Sequence, residues 1–262
     1  MNSRPVVTDH WVARTFRYLY RIPWLLVHLF LGLPLVLLSM LPAWRDWGVG
    51  GLPLEQRAVQ LWSGGLLRVF GLRVSRSGSP LPGGVLLVAN HVSWIDIQMI
   101  HSQQMVGFVA KAEIARWPVV GWLAARGQTI FHHRGDTQSL GGVMDEMEQR
   151  LRQQRPVAVF PEGRTRSGDE VGPFHARIFT CAVQARVPVQ PVALVYGEHG
   201  QAQTQVAFAE GEGFVGNFLR LLGEPARSAQ LHFLAPIAPG ELAGRRQIAE
   251  LARERIVQAM AA

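Results

Sequence analysis

From Gly83 onward, short apolar runs alternate with stretches of helical periodicity. "GVLLVA" (84–89), "VGFVA" (106–110), "QTIFH" (128–132), "VAVF" (157–160) and "VPVQPVALVY" (187–196) read as strands. Between them, "SWIDIQMIHSQQ" opens as a helix, and "KAEIARWPVVGWLAARG" is helical or looped. "DTQSLGGVMDEMEQRLRQQ" is a helix ended by Pro156, and "PFHARIFTCAVQAR" is another helix. Strands that alternate with helices predict an α/β fold with a mostly parallel sheet flanked by helices. In the last third, "TQVAFAEG" (204–211) and "AQLHFLAPI" (229–237) read as strands. "AGRRQIAELARERIVQAM" is a closing amphipathic helix with Ile248, Leu251, Ala252 and Ile256 inward. Pro188 and Pro191 cannot donate to a ladder, so the run 187–192 is expected at an edge or wall of the sheet.

The first 75 residues follow a different pattern. Trp24 to Leu41, "WLLVHLFLGLPLVLLSML", is apolar and near the shortest length that spans a bilayer, and Pro34 in its middle should kink or break a helix. Arg4, Arg14, Arg17 and Arg21 precede it, and Arg45, Arg57, Arg68 and Arg73 follow it. Positive charge on both sides favours a broken hairpin or an interfacial element with both ends cytoplasmic over a single span. "EQRAVQLWSGGLLRVFGLRV" sets Val59, Trp62, Leu66, Val69 and Phe70 at helical spacing, with Gly64 and Gly65 weakening its centre. The expected organisation is a membrane-associated helical element over 1–75 and an α/β domain over 76–262.

Composition changes this picture little. The net charge of +7 points to an anionic partner, nucleic acid or an acidic membrane surface. Of the 26 Lys and Arg residues only Lys111 is a lysine, so part of that charge is an arginine habit of composition. The basic residues are scattered without interleaved aromatics on one face, which sets nucleic acid aside. The single cysteine, Cys181, excludes an intrachain disulfide and reads as a small buried filler.

The candidate chemistry sits at strand ends. "NHVSWID" follows the apolar run 85–89 and sets His91 and Asp96 five residues apart, a spacing that converges only if the backbone turns between them. His91 then lies in the loop at a strand's C-terminal end, where open α/β sheets bind ligands. Ser93 is placed to cap the next helix, with Asp96 as its N3 acid. An imidazole held by a carboxylate is the apparatus of a general base acting on a hydroxyl or thiol. "VFPEGRTRSGD" (159–169) follows another strand with Glu162, Gly163, Arg164, Thr165 and Arg166; two guanidiniums beside backbone N–H groups suit a phosphate or carboxylate. A metal-dependent hydrolase would draw on His91, Asp96, His101, His132, His133 and Glu162, but no metal-ligand spacing links them.

Taken in order, these elements resemble the glycerolipid acyltransferase family, which includes lysophosphatidate acyltransferases. The family pattern N-H-x-x-x-x-D matches Asn90, His91 and Asp96; F-P-E-G matches Phe160 to Gly163; V-P-[IV]-x-P-V matches 187–192. The second element, "GQTIFHHR", ends at Arg134 with Gly127 one place further away than in the family. "RTRS" stands where many members have Thr-Arg-Ser, so either Arg164 or Arg166 takes the phosphate-binding role. The resemblance implies direct acyl transfer with no cofactor and no metal. His91 would be the base and Asp96 would orient it. Glu162, Gly163, Arg164, Thr165 and Arg166, with Arg134 and Lys111, would bind the acceptor's anionic head. The implied donor is acyl-carrier protein or coenzyme A thioester. The implied acceptor is 1-acylglycerol-3-phosphate, or alternatively lyso-ornithine lipid or another lyso-lipid. The implied location is a membrane, the bacterial inner membrane with the site on its cytoplasmic face. A non-catalytic lipid-binding protein of the same fold is the alternative of a different class.

Overall fold

The computed structural model describes residues 11–44, 46–117, 120–132 and 137–261. The chain opens with α1 (Trp11–Val27), a π-helical turn (His28–Gly32) and α2 (Leu33–Ser39). Together they make one apolar helix of 29 residues, long enough to cross a bilayer. The break expected at Pro34 does not occur. The π turn lies immediately before this proline, and its widened backbone spacing takes up the missing N–H without ending the helix. The chain reverses later, at the two-stranded ribbon β1 (Gly48–Val49) and β2 (Leu52–Pro53), and α3 (Leu54–Val69) runs back along α2.

One of the two glycines inside α3, Gly65, serves this contact. A Cβ on Gly65 would stand 2.7 Å from the His28 ring, so only glycine lets α3 approach the π turn. The His28 ring stacks on Trp62 and its Nε2 lies 2.8 Å from the Trp62 carbonyl. The α3 helix therefore runs unbroken through Gly64 and Gly65.

The remaining elements build one sheet and its two helical layers. They are β3 (Leu72–Ser77), β4 (Leu86–Ala89), α4 (Ile95–His101), β5 (Gly107–Lys111), α5 (Val120–Arg126), β6 (Ile130–His132), α6 (Thr137–Arg152) and β7 (Val157–Val159). Then come α7 (Thr180–Ala185), β8 (Val189–Tyr196), α8 (Gln203–Val206), α9 (Phe214–Gly223), β9 (Arg227–Phe233) and α10 (Arg245–Ala261). The strand order is β3-β9-β8-β4-β7-β5-β6. The five strands from β8 to β6 are parallel; β9 is antiparallel to β8, and β3 is parallel to β9. Because β3 joins the sheet, the division drawn between residues 75 and 76 falls inside a strand. Alternate residues of β4 feed opposite cores, as the pleat requires. Leu87 packs with α3, α4 and α9, and Leu86 and Val88 pack with α6, α7 and α10.

Two expectations are overturned. The proline-bearing strand β8 lies in the sheet interior, between β9 and β4. Its pairing to the β9 side shifts by one residue between Val189↔Ile237 and Val192↔Phe233, and Pro191 sits inside that bulge. The missing donor thus falls where the ladder is already interrupted. The segment 204–211 is not a strand, for α8 covers its start. Past the end of β4, the free edge of β8 is filled by a side chain. Gln203 accepts from the Tyr196 N–H (2.8 Å) and donates to the Leu194 carbonyl (3.1 Å).

The arginines upstream of the apolar run are also used internally. Arg21 is 2% exposed and donates to the carbonyls of Leu222 (2.8 Å) and Glu224 (2.7 Å). Arg17 donates to Gly223 O and Tyr18 to Leu219 O. These groups satisfy the orphan carbonyls at the C-terminal end of α9 and place positive charge against its dipole.

Two predictions follow from the packing. Substituting Gly65→Leu forces the ring of His28 off Trp62 and should lower unfolding free energy by roughly 1–3 kcal/mol, read by denaturant titration in detergent. His101 on α4 is buried against Phe108, and burial holds its ring neutral down to about pH 4 from an ordinary 6.5. The unfolded chain takes up that proton first, so stability should fall as pH drops from 6.5 toward 4, by on the order of 3 kcal/mol. His101→Leu should flatten this part of the pH profile.

Candidate active site

The sequence folds His91 and Asp96 together by bending the chain at 91–94, between the end of β4 and the start of α4. Asn90 fixes the start of the bend. Its side-chain amide donates to the Leu194 carbonyl and accepts the Leu194 N–H, both at 2.9 Å, so it extends the β4–β8 ladder by one residue. His91 Nδ1 lies 2.8 Å from Asp96 Oδ2. The same oxygen accepts the N–H groups of Val92 (2.7 Å) and Ser93 (2.9 Å). The capping expected at Ser93 is half present, because Asp96 receives the Ser93 N–H while the Ser93 hydroxyl donates to Asn217 Oδ1 at 3.2 Å instead.

The other carboxylate oxygen, Oδ1, accepts the Tyr196 hydroxyl at 2.6 Å. Tyr196 is the last residue of β8 and fully buried. Burial first, and then the neighbouring Asp96 charge, push its phenol well above the ordinary range, so it holds its proton and donates.

The loop after β7 closes over His91 from the other side. Glu162 Oε1 accepts the His91 N–H (2.9 Å), and the Arg166 N–H donates to the His91 carbonyl (2.8 Å). Both polar groups of the His91 backbone are thus held by one loop. Glu162 Oε2 accepts the Gly172 N–H (2.8 Å). Arg166 Nε lies 3.2 Å from it, near enough for an ion pair but not aligned for a hydrogen bond. Burial raises the Glu162 carboxyl above its ordinary value, against the opposing pull of these donors and of Arg166. Gly163 turns the loop at φ 71°, and a Cβ there would meet the His175 ring at 3.1 Å. The Phe160 ring lies on the His91 ring, centroids 3.8 Å apart and planes 10° apart. With Nδ1 engaged and one face covered, the open edge of the imidazole is Nε2.

His91, Asp96, Glu162 and Arg166 therefore form one hydrogen-bonded group. Arg164 and Thr165 share the loop with Arg166 but differ from it in use. Arg166 is committed to Glu162 and His91, whereas Arg164 is exposed and makes no hydrogen bond or ion pair among the described residues. Lys111 is exposed at the end of β5, the strand beside β7, at the same C-terminal side of the sheet. Arg134 lies outside the described residues. Among the described residues no group of three His, Cys, Asp or Glu side chains could hold a metal ion. Cys181 packs on the opposite face of the sheet, and burial pushes its thiol up to about 12, which removes it as a nucleophile at neutral pH.

Two contributors escaped the sequence reading. Tyr196 ends an apolar strand, and a tyrosine buried there needs a partner for its hydroxyl. Asn217 is a fully buried amide in the apolar helix α9; besides Ser93 it accepts from Trp94 Nε1 at 3.1 Å. Each was signalled by one polar residue in an apolar element.

Comparison with known proteins bears on the family and the fold. The family model described as Acyltransferase matches residues 72–195, which hold His91, Asp96 and the loop from Glu162 to Arg166, while Tyr196 and Asn217 lie beyond it. The lyso-ornithine lipid O-acyltransferase of Pseudomonas aeruginosa is 33% identical over 209 residues, 80% of this chain and 80% of that protein. The 1-acyl-sn-glycerol-3-phosphate acyltransferase of Neisseria gonorrhoeae is 36% identical over 165 residues, 62% of this chain and 65% of that protein. The crystal structure of the 1-acyl-sn-glycerophosphate acyltransferase PlsC from Thermotoga maritima shares the fold, with a TM-score of 0.72 at 19% identity, over 94% of this chain and 96% of that one. With a relative this similar across four-fifths of its length and a strand order that carries the matched motifs to one sheet end, the chain belongs to the acyltransferase family.

Proposed function

We propose that the chain transfers a fatty acyl group from an acyl-carrier-protein or coenzyme A thioester to the free hydroxyl of a lyso-lipid. The first acceptor is 1-acylglycerol-3-phosphate, and its product is phosphatidate. The observation that carries this reading is the His91–Asp96 pair, 2.8 Å apart, with Nε2 left open at the C-terminal end of the sheet. A lyso-lipid hydroxyl at Nε2 gives up its proton as its oxygen attacks the thioester carbonyl. The C–O bond forms, the C–S bond breaks, and the proton on His91 passes to the departing thiolate. Asp96 stabilises the imidazolium in between. No cofactor is needed beyond the donor thioester.

The acceptor's anionic head is held on the loop after β7. Arg164, exposed and uncommitted among the described residues, is the guanidinium available for it, with Gly163 and Thr165 shaping the turn and Lys111 adding charge from the end of β5; the sequence resemblance gives Arg134 the same role. Glu162 and Arg166 shape the loop and pin His91. The apolar helix over 11–39 brings the site to a membrane surface, which suits two substrates with poorly soluble chains. We place it at a bacterial inner membrane, facing the cytoplasm.

A second reading, a lyso-ornithine lipid acceptor, is favoured by one observation. The withdrawal of Arg166 into its ion pair with Glu162 leaves a single free guanidinium on the loop, enough for a carboxylate. The extent of overlap with the Pseudomonas aeruginosa relative supports it too.

An acyl-transfer assay on protein reconstituted in membranes, read by mass spectrometry, separates the readings. It pairs both thioester donors with lysophosphatidate, lyso-ornithine lipid and lysophospholipid acceptors. Product should form with one acceptor class and fall by about 10²–10⁴-fold in His91→Ala. No product with any pair from folded, membrane-bound protein would sink the catalytic reading and leave a lipid-binding member of the fold. The two arginines should separate in the same assay. Arg164→Ala should raise the acceptor KM roughly tenfold with stability unchanged. Arg166→Ala should lower stability by roughly 1–3 kcal/mol, because it strips a partner from buried Glu162.

A further inference from the structure

We propose that Tyr196 is a positioning residue: its hydroxyl fixes the Asp96 carboxylate with Oδ2 turned toward His91, and so sets how readily the pair takes up a proton. The inference rests on His91 being the base, and it adds a residue 100 positions from Asp96 that lies outside the motifs quoted above.

Asp96 is fully buried, so its charge survives only if both oxygens are hydrogen-bonded. Oδ2 has three donors: His91 Nδ1 and the Val92 and Ser93 N–H groups. Oδ1 has Tyr196 alone among the described residues, at 2.6 Å, a short charge-assisted bond. Without that hydroxyl, Oδ1 becomes an orphaned charged atom in the core. The charge is then less stabilised, so the pair gains more by taking up a proton, and the carboxylate loses the anchor that keeps Oδ2 aimed at His91.

The ring of Tyr196 lies in the core between the sheet and the α3–α4–α9 layer, so its direction is set by packing and not by the bond itself. Its backbone N–H is bonded to Gln203, which fixes the end of the strand. The hydroxyl is thus delivered to Asp96 by a rigid support. The charged and titratable groups facing the pair are few. Tyr196 comes from β8, and Glu162 and Arg166 from the loop after β7; Asn217 on α9 faces the turn but carries no charge. A purely structural role, a buried phenol needing some acceptor, accounts for the bond's presence. It does not predict that the strength of the bond tunes proton uptake.

The test uses the full chain in lipid nanodiscs in three forms: wild type, Tyr196→Phe, and protein carrying 3-fluorotyrosine at position 196. Two quantities are followed against pH. One is kcat/KM for acyl transfer, and the other is the ring signal of His91 from isotope-labelled histidine, assigned with His91→Asn. Loss of the hydroxyl makes the pair bind its first proton more readily, whichever residue receives it. The acid midpoint should therefore rise by on the order of one pH unit in Tyr196→Phe. The more acidic fluorinated phenol donates more strongly and should move the midpoint down. At high pH, kcat should fall about tenfold in Tyr196→Phe through lost orientation while both KM values stay within about twofold.

If the ring signal titrates at an unchanged pH in both variants, the inference is overturned, whatever the activity does. If the ring signal shifts as expected but the activity profile does not follow, Tyr196 does set proton uptake and the reading of His91 as base falls instead. Should Tyr196→Phe not fold, the fluorinated protein, which keeps the hydroxyl and nearly the same volume, decides the matter through the same signal.

Discussion

A carboxylate with no exposure to water is the constraint around which this site is built. Asp96 must be ringed with donors, and it recruits them from His91, from two backbone N–H groups and from the far end of β8. Those demands dictate the bend after β4, because only a chain turned back on itself can aim consecutive N–H groups at the side chain that follows. The place of β8 in the sheet interior is what lets its last residue reach the start of α4. Glu162 repeats the arrangement one strand over: a second buried carboxylate, answered by the His91 and Gly172 N–H groups and by Arg166. His91 is thus held by two acids, one through its ring and one through its backbone.

Much of this could be read from the sequence, because short-range chemistry leaves short-range traces. The apolar run before Asn90 marks the strand, and the polar residues at its end mark the loop where ligands bind. The convergence of His91 and Asp96 follows from a turn that five residues can make. The alternation of runs likewise gives the parallel sheet. What could not be read is what long-range contact decides. Tyr196 and Asn217 meet the turn at 91–96 across 100 and 124 positions, and neither distance leaves a periodic signature. The place of β8 in the sheet was hidden for a related reason. Two prolines in a strand argue for an edge, unless the neighbouring strand is bulged where the donor is missing, and the bulge belongs to residues 40 positions downstream.

The charge on the chain also divides by use once contacts are known. Arg166, Arg21 and Arg17 are consumed in internal bonds, so an arginine's place in the sequence, beside an apolar run or in a polar loop, says little about what it meets. Arg164 differs only in pointing to solvent, and that difference makes it the candidate for a ligand's charge.

The bonds from the first helix to the end of α9 bear on the order in which the protein can be made. Arg21 is made about two hundred residues before the carbonyls that shelter its guanidinium, on Leu222 and Glu224. Until they arrive, a cationic side chain in the middle of an apolar helix has no buried partner and favours contact with water or lipid head groups over the hydrocarbon interior. The nascent helix is therefore held at the membrane boundary while the rest of the sheet is completed. Its final seating awaits α9, so the docking of the first helix and the closure of the fold become a single late event.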